Sequence, residues 1–323
     1  MITAYSRQNG ILSPTSVLHA DGIDASVVWI DLFEPTAAEQ RLVESVLGIE
    51  VPTHEEMGEI ELSSRLYQEG AAAFMTALVL SRVETETPQL QPITFITTGP
   101  CLVTQRYSDP LPFRAFAAQV QRQGTPCYSR EDVLAGLLDA IADRVADILE
   151  RVQHELDDMS SRVFAKGRSR GDVDFEEVLR QLGQAQGLTS RTRESLLSIA
   201  RLITFLNRPG EGKPERKAAS RTFKVVSRDV LSLSDHATFL SNNINFLLDA
   251  SLGMINIEQT GIIKIFSVAA VVFLPPTLIA SIYGMNFQHI PELAWVFGYP
   301  WSLGLMVLSA ILPYFYFKRR GWL

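Results

Sequence analysis

The sequence predicts an α+β domain that leads into long helices and two C-terminal transmembrane helices. Three observations carry that reading. The first 128 residues alternate short apolar runs with turn residues, and from Ser129 the pattern turns helical. After Pro214 no proline occurs until Pro275 and no glycine until Gly253. Near the C-terminus, 27 consecutive residues between Lys264 and Glu292 and 25 between Glu292 and Lys318 carry no formal charge. A membrane-spanning helix needs ~20 such residues.

In the first part, Val27–Phe33 reads as a strand, and Thr36-Ala37-Ala38-Glu39 as a capping box opening a helix to about Leu47. Residues 71–83, 92–98 and 101–107 read as strands, the last two joined at Gly99-Pro100. Ser129-Arg130-Glu131-Asp132 caps a helix to about Phe164, broken at 167–171. A second helix runs from about Asp174 to Asn207, weakened by Gly183 and Gly187, and 208–214 closes it. A helix from about Glu215 to Tyr283 would be ~100 Å long, a rod that couples a soluble domain to a membrane span.

The expected organisation is an αβ domain over 1–128, a helical hairpin over 129–214, a stalk helix over 215–264, a first transmembrane helix over 265–286, an outer loop over 287–294, a second transmembrane helix over 295–317 and a basic tail over 318–323. Met1–Gln8 forms no apolar h-region, so no cleavable signal peptide is expected. Lys264 and Lys318-Arg319-Arg320 flank the outer ends of the helical pair, whereas its turn holds only His289 and Glu292. The positive-inside rule therefore places the large domain and both termini in the cytoplasm. Trp295, Tyr299 and Trp301 begin the second span and Tyr314, Tyr316 and Trp322 end it, as interfacial belts do.

Composition narrows the function. With 46% hydrophobic and 20% charged residues, the chain is neither disordered nor short of core. Its net charge of -7 argues against a nucleic-acid binder, which would want a basic face. The charge is uneven: +3 from residue 264 onward and -10 before it. Cys101 and Cys127 make no disulfide framework or metal-type spacing and suit a reduced compartment. The five histidines (19, 54, 154, 236, 289) are scattered, and no phosphate-binding or hydrolase motif occurs, so no enzyme is expected.

Stepping along the rod in a 3-4 pattern gives Asp249, Gly253, Asn256, Thr260, Ile263, Ser267, Ala270, Leu274, Thr277 and Ser281. The stripe is small or polar at most steps, as a helix lining a water-filled path would be. Singly, Ser267, Thr277 and Ser281 would be expected only to bond back to carbonyls four residues earlier. Their alignment with Asp249, Asn256 and Thr260 favours the path. Pro275-Pro276 should free carbonyls near Val271–Val272. Gly284 then ends the helix, in a positive-φ conformation if Cβ is to be excluded there, and leaves Met285 and Asn286 at the far surface. One hairpin encloses no pore, but a symmetric ring of copies turns each Asn286 into a ring of neutral oxygens. The spans hold no ionisable group for proton coupling, and neutral oxygens suit a hydrated Mg²⁺ ion.

At Tyr283-Gly284-Met285-Asn286, Pro291-Glu292-Leu293 and the terminal Lys318-Arg319-Arg320-Gly321-Trp322-Leu323, the sequence resembles the CorA family of magnesium transporters, within the Gly-Met-Asn superfamily. The resemblance extends in detail over 245–323, including Ile255–Gln259 and Phe273–Thr277. It implies a homopentameric funnel in the inner membrane, conducting Mg²⁺ and often Co²⁺ or Ni²⁺ as substrates. Intracellular Mg²⁺ would act as the regulatory ligand that closes it, and no catalytic cofactor is implied. By the same resemblance, the selectivity motif falls on Gly284, Met285 and Asn286, pore-lining positions on Thr277 and Ser281, apolar gate positions on Leu274, Ile263 and Phe266, and an acidic ring on Asp249. Glu292 is the outer loop's only carboxylate. Thr260 departs from the family, many of whose members carry Asn there. The inter-domain ligands are not assigned, with Asp229 and Asp235 as the candidates. The acidic residues from Glu131 to Asp158 and along the rod are expected to repel across subunits until Mg²⁺ binds. The alternatives are a proton-coupled Zn²⁺ transporter of the same superfamily and an enzyme or sensor domain anchored by a hairpin.

Overall fold

The computed structural model describes residues 1–8, 11–17, 19, 22–24, 26–85, 87–122, 129–165, 174–206, 216–286 and 291–321. The breaks expected at 167–171 and 208–214, together with Cys127, Gln288, His289 and Trp322, lie outside them. The chain divides into two compact units, Met1–Arg162 with Glu177–Leu247, and Val163–Glu176 with Leu248–Leu323.

The first unit is built on seven strands: β1 (Ile2–Gln8), β2 (Ile11–Ser16), β3 (Val27–Phe33), β4 (Leu66–Glu69), β5 (Ala72–Ser81), β6 (Gln89–Thr98) and β7 (Cys101–Arg106). They form one sheet in the order β2-β1-β3-β7-β6-β5-β4, antiparallel except where β3 meets β7. Strand β3 is buried along nearly all its length. That burial explains why its sequence is a continuous apolar run and not an alternating one. One face packs Ile30, Leu32, Phe74, Ile96 and Val103 with Val43 of α1 (Ala37–Leu47). Thr36 and Glu39 form the expected capping box of α1, and Gly48 ends that helix at φ 65°. Short helices α2 (His54–Met57) and α3 (Leu62–Arg65) precede β4, and α4 (Leu111–Val120) follows β7.

The other face of the sheet carries a buried ion pair inside the apolar run. Arg106 Nη2 donates to Asp31 Oδ2 at 2.8 Å, and Nε donates to both carboxylate oxygens at 3.1 Å. Thr104 donates to Asp31 Oδ1 at 2.8 Å and accepts from Trp29 Nε1 at 2.9 Å. The Arg106 guanidinium also lies 4.4 Å from the centre of the Phe33 ring. Both charges are therefore desolvated but fully bonded, the condition under which burial is tolerated.

Three long helices follow: α5 (Arg130–Val163), α6 (Phe175–Leu206) and α7 (Arg216–Tyr283). Ser129 and Asp132 cap α5 reciprocally, Asp132 N–H to Ser129 Oγ at 3.2 Å and Ser129 N–H to Asp132 Oδ2 at 3.1 Å. Helix α6 covers an open sheet edge. Strand β4 pairs with β5 only over Ala72–Met75, leaving Leu78 beyond its reach, opposite Pro92. Ser195 Oγ donates to Leu78 O at 2.7 Å, and Leu78 N–H donates to Ser198 Oγ at 2.9 Å. Two hydroxyls thus take the place of a neighbouring strand at Leu78, satisfying both backbone groups of that residue.

In the second unit, α7 runs on to Tyr283 through Pro275 and Pro276. A 3-10 turn (Pro291–Ala294) and α8 (Gly298–Arg319) complete it. Both α7 and α8 are long and apolar enough to cross a membrane, with little of the apolar stretch buried inside the chain.

Candidate functional site

The stripe read from the sequence lies on one side of α7. Asp249, Asn256, Thr260, Ile263, Ala270, Leu274, Thr277 and Ser281 are exposed, while Gly253 and Ser267 are half-buried. Phe266, beside the stripe, is 72% exposed, against 64% for both Ile263 and Leu274. Off the stripe in the span segment, Val268 is buried and Gly261, Ala269, Val272, Pro275, Pro276, Ile279 and Tyr283 are half-buried. At 100° per residue this covered face is centred about 160° from the stripe. The chain's own packing therefore touches only the back of α7 and does so sparsely, since Ile265 on that side is 68% exposed; the polar stripe stays open.

The stripe's hydroxyls have a defined polarity. Thr260 Oγ1 donates to Asn256 O and Thr277 Oγ1 to Phe273 O, each at 2.7 Å. The back-bonding expected of a single helical threonine is thus present at both. It does not silence them chemically: the proton points into the helix, so the oxygen lone pairs are what remains for a water or a cation. The adjoining prolines add acceptors, because Pro275 and Pro276 have no N–H to offer the carbonyls of Val271 and Val272.

At the end of α7, Gly284 N–H donates to Ala280 O at 2.9 Å and Met285 N–H to Ile282 O at 3.3 Å. The helix tightens and stops, and Gly284, Met285 and Asn286 are all exposed. Gly284 does not take a positive φ, which among the described glycines occurs at Gly48, Gly70, Gly99 and Gly321. An added Cβ would stand 3.1 Å from Ala280 O, the carbonyl its own N–H bonds, so an alanine here asks the last turn to give by only a few tenths of an ångström.

The turn before α8 depends on a glycine that the sequence did not single out. Gly298 N–H donates to Trp295 O at 2.9 Å, Trp295 N–H donates to Glu292 O at 3.3 Å, and an added Cβ at Gly298 would lie 2.2 Å from Glu292 O. Glu292 is half-exposed on this turn, and Trp295 precedes α8 instead of starting it. The other end of α8 carries Lys318 and Arg319 in its last turn, where the helix dipole favours cations, and Arg320 packs 5.6 Å from the Tyr316 ring centre.

The regulatory candidates Asp229 and Asp235 are exposed. Partial desolvation, together with the charges of Asp143 and Asp229, holds the Asp139 carboxyl above the usual carboxylate range, although its side chain still reaches solvent. Among the described residues no group of three His, Cys, Asp or Glu is placed to hold a metal ion. Cys101 is buried, and burial pushes its thiol up to about 12.

The model of a "CorA-like Mg²⁺ transporter protein" family matches residues 24–319. The magnesium transport protein CorA of Pasteurella multocida is 36% identical over 298 residues, 92% of each chain. That of Escherichia coli K12 is 34% identical over 327 residues and covers all of both chains. The solved CorA magnesium transporter of Methanocaldococcus jannaschii superposes with a TM-score of 0.80 at 19% identity, covering 100% of this chain and 99% of that one. An αβ domain, a long helix and two apolar C-terminal helices ending in this order are thus shared along the whole chain, which belongs to the CorA-like Mg²⁺ transporter family.

Proposed function

We propose that this chain is one subunit of a symmetric membrane channel that takes up Mg²⁺, with the α7 stripe lining the path and Gly284-Met285-Asn286 at its outer mouth. One observation carries the reading: the few residues of α7 that the chain itself covers lie away from the Asp249-to-Ser281 stripe, which stays open toward an axis that other copies would surround. Relatives named magnesium transport proteins, identical at more than a third of positions, support Mg²⁺ as the ion. The chemistry agrees, since threonine oxygens, proline-freed carbonyls and the Asn286 amide are hard neutral acceptors that replace little of the ion's water. Ile263, Phe266 and Leu274 interrupt them with apolar rings able to close a path by dewetting.

We place the first unit and both termini in the cytoplasm, following the basic residues at the outer ends of the apolar helices. Mg²⁺ is also the proposed regulator. A cation near Asp139, Asp143 and Asp229 relieves their mutual repulsion, and it must draw further ligands from water or another copy. Co²⁺ and Ni²⁺ meet the same oxygens and are expected to follow. A proton-coupled Zn²⁺ carrier is disfavoured because residues 265–291 and 293–317 contain no carboxylate, lysine or arginine.

The test is flux into liposomes holding the purified protein and an Mg²⁺-sensitive dye. Uptake driven by the Mg²⁺ gradient and indifferent to an imposed pH gradient is the expected result. Uptake only with a pH gradient, and of Zn²⁺ in preference to Mg²⁺, would replace this reading with the carrier.

A further inference from the structure

The first unit is acidic, yet four of its arginines converge on one cavity. It measures 940 Å³ and lies between the β5–β6 turn, α5 and α6, with Arg151, Arg162, Arg180 and Arg191 in its wall. Two of the four are engaged. Arg151 reaches Glu84 at 3.3 Å, and Arg180 pairs with Glu177 at 2.7 Å. The other two have donors to spare. Arg162 Nη2 bonds to Gln181, but its Nε is buried with no partner among the described residues. The Arg191 side chain makes no ion pair or hydrogen bond among them.

A buried guanidinium N–H without an acceptor is costly and rare in native structures. The wall also contains Gly183 and Gly187, one helical turn apart in α6. A Cβ at Gly183 would meet nothing within 4 Å, and one at Gly187 only the Arg191 side chain at 3.8 Å. Each glycine costs a helix interior about 1 kcal/mol relative to alanine, and packing requires neither. Both keep the cavity open beside the two under-used arginines.

We propose that this cavity binds a small polyphosphate anion. Guanidinium forks match phosphate oxygens two at a time, and arginine suits a partly desolvated anion better than lysine. The volume lies in the range of small-ligand sites. Asp158 and Glu155, also in the wall, face the divalent cation that polyphosphates carry in solution. Nothing in this site overlaps the α7 stripe, so its test is independent of transport.

The experiment is calorimetric titration of the full-length protein in detergent, with millimolar Mg²⁺ present, using inorganic pyrophosphate and, separately, ATP. Saturable binding of pyrophosphate assigns the polyphosphate itself, and binding of ATP alone adds the nucleoside to what is recognised. Arg191→Ala and Arg162→Gln should each weaken binding about tenfold or more, the loss of one charge-assisted contact. Gly183→Leu should abolish binding by filling the cavity while the helix melts no earlier. Arg193→Ala, on α6 outside the wall, removes the same charge and should leave binding unchanged. No saturable binding of either probe by the wild type overturns the proposal. So do Arg191→Ala and Arg162→Gln variants that bind like Arg193→Ala.

Discussion

Replacing Gly298 by alanine adds one methyl group where the chain has no room for it. The new Cβ would stand 2.2 Å from Glu292 O and 3.3 Å from Glu292 C. Both are backbone atoms, so no side-chain rotation relieves the contact. Reaching an ordinary separation of ~3.5 Å moves the turn by roughly 1 Å. Overpacking of this kind costs ~1–3 kcal/mol. The movement also strains the Gly298-to-Trp295 and Trp295-to-Glu292 hydrogen bonds, each worth about 1 kcal/mol net. The loss of about 2–4 kcal/mol is local, so the readout is amide hydrogen exchange over 291–301 together with Mg²⁺ uptake. Exchange there should quicken by roughly 30-fold or more, and uptake should fall as Glu292 shifts. Gly304→Ala is the control: its Cβ meets nothing within 4 Å, and α8 should gain helix propensity with uptake unchanged. Wild-type exchange and uptake in Gly298→Ala would refute the reasoning.

Three other perturbations test separate parts of the account. Leu274→Asp, on the open stripe, should raise Mg²⁺ leak at high internal Mg²⁺, whereas Val272→Asp, on the covered face, should reduce the amount of assembled protein; equal leak from both would mean the stripe is misassigned. Asp31→Ala should destabilise the first unit by ~3–5 kcal/mol by stranding the buried Arg106 charge, and Asp31→Leu with Arg106→Met should cost much less in a denaturant titration. Asp139→Asn should raise the melting temperature at pH 7 without Mg²⁺. The raised folded pKa means ionisation costs stability as pH rises through it, so the gain should fade as pH falls to the unfolded carboxylate range of about 4. A gain that persists at acid pH would assign it to packing instead.

Much of this was legible in the sequence because its signals are local and periodic. The α7 stripe needs only the 3.6-residue repeat, and Thr36 with Glu39 or Ser129 with Asp132 declares a helix start within four residues. Strands β1 and β2 were missed because their partners, not their composition, make them strands. β2 even holds Pro14, acceptable only because β2 lies at the sheet edge. The serines that bond the Leu78 backbone at the β5 edge sit more than a hundred residues away, where no window could join them. The arginine cavity was hidden for the same reason, its four residues being spread over two helices. Gly284 and Gly298 show what a tripeptide motif omits. The first takes no positive φ and leaves near-normal room for a Cβ, whereas the second holds the loop without belonging to any motif.

The central claim is that Asn286 forms the mouth of the Mg²⁺ path. Its most direct measurement is Mg²⁺ flux into liposomes containing purified Asn286→Ala, with the oligomer confirmed by size-exclusion chromatography before reconstitution. The account predicts that flux is lost while the oligomer persists. Wild-type flux from an intact oligomer would contradict it.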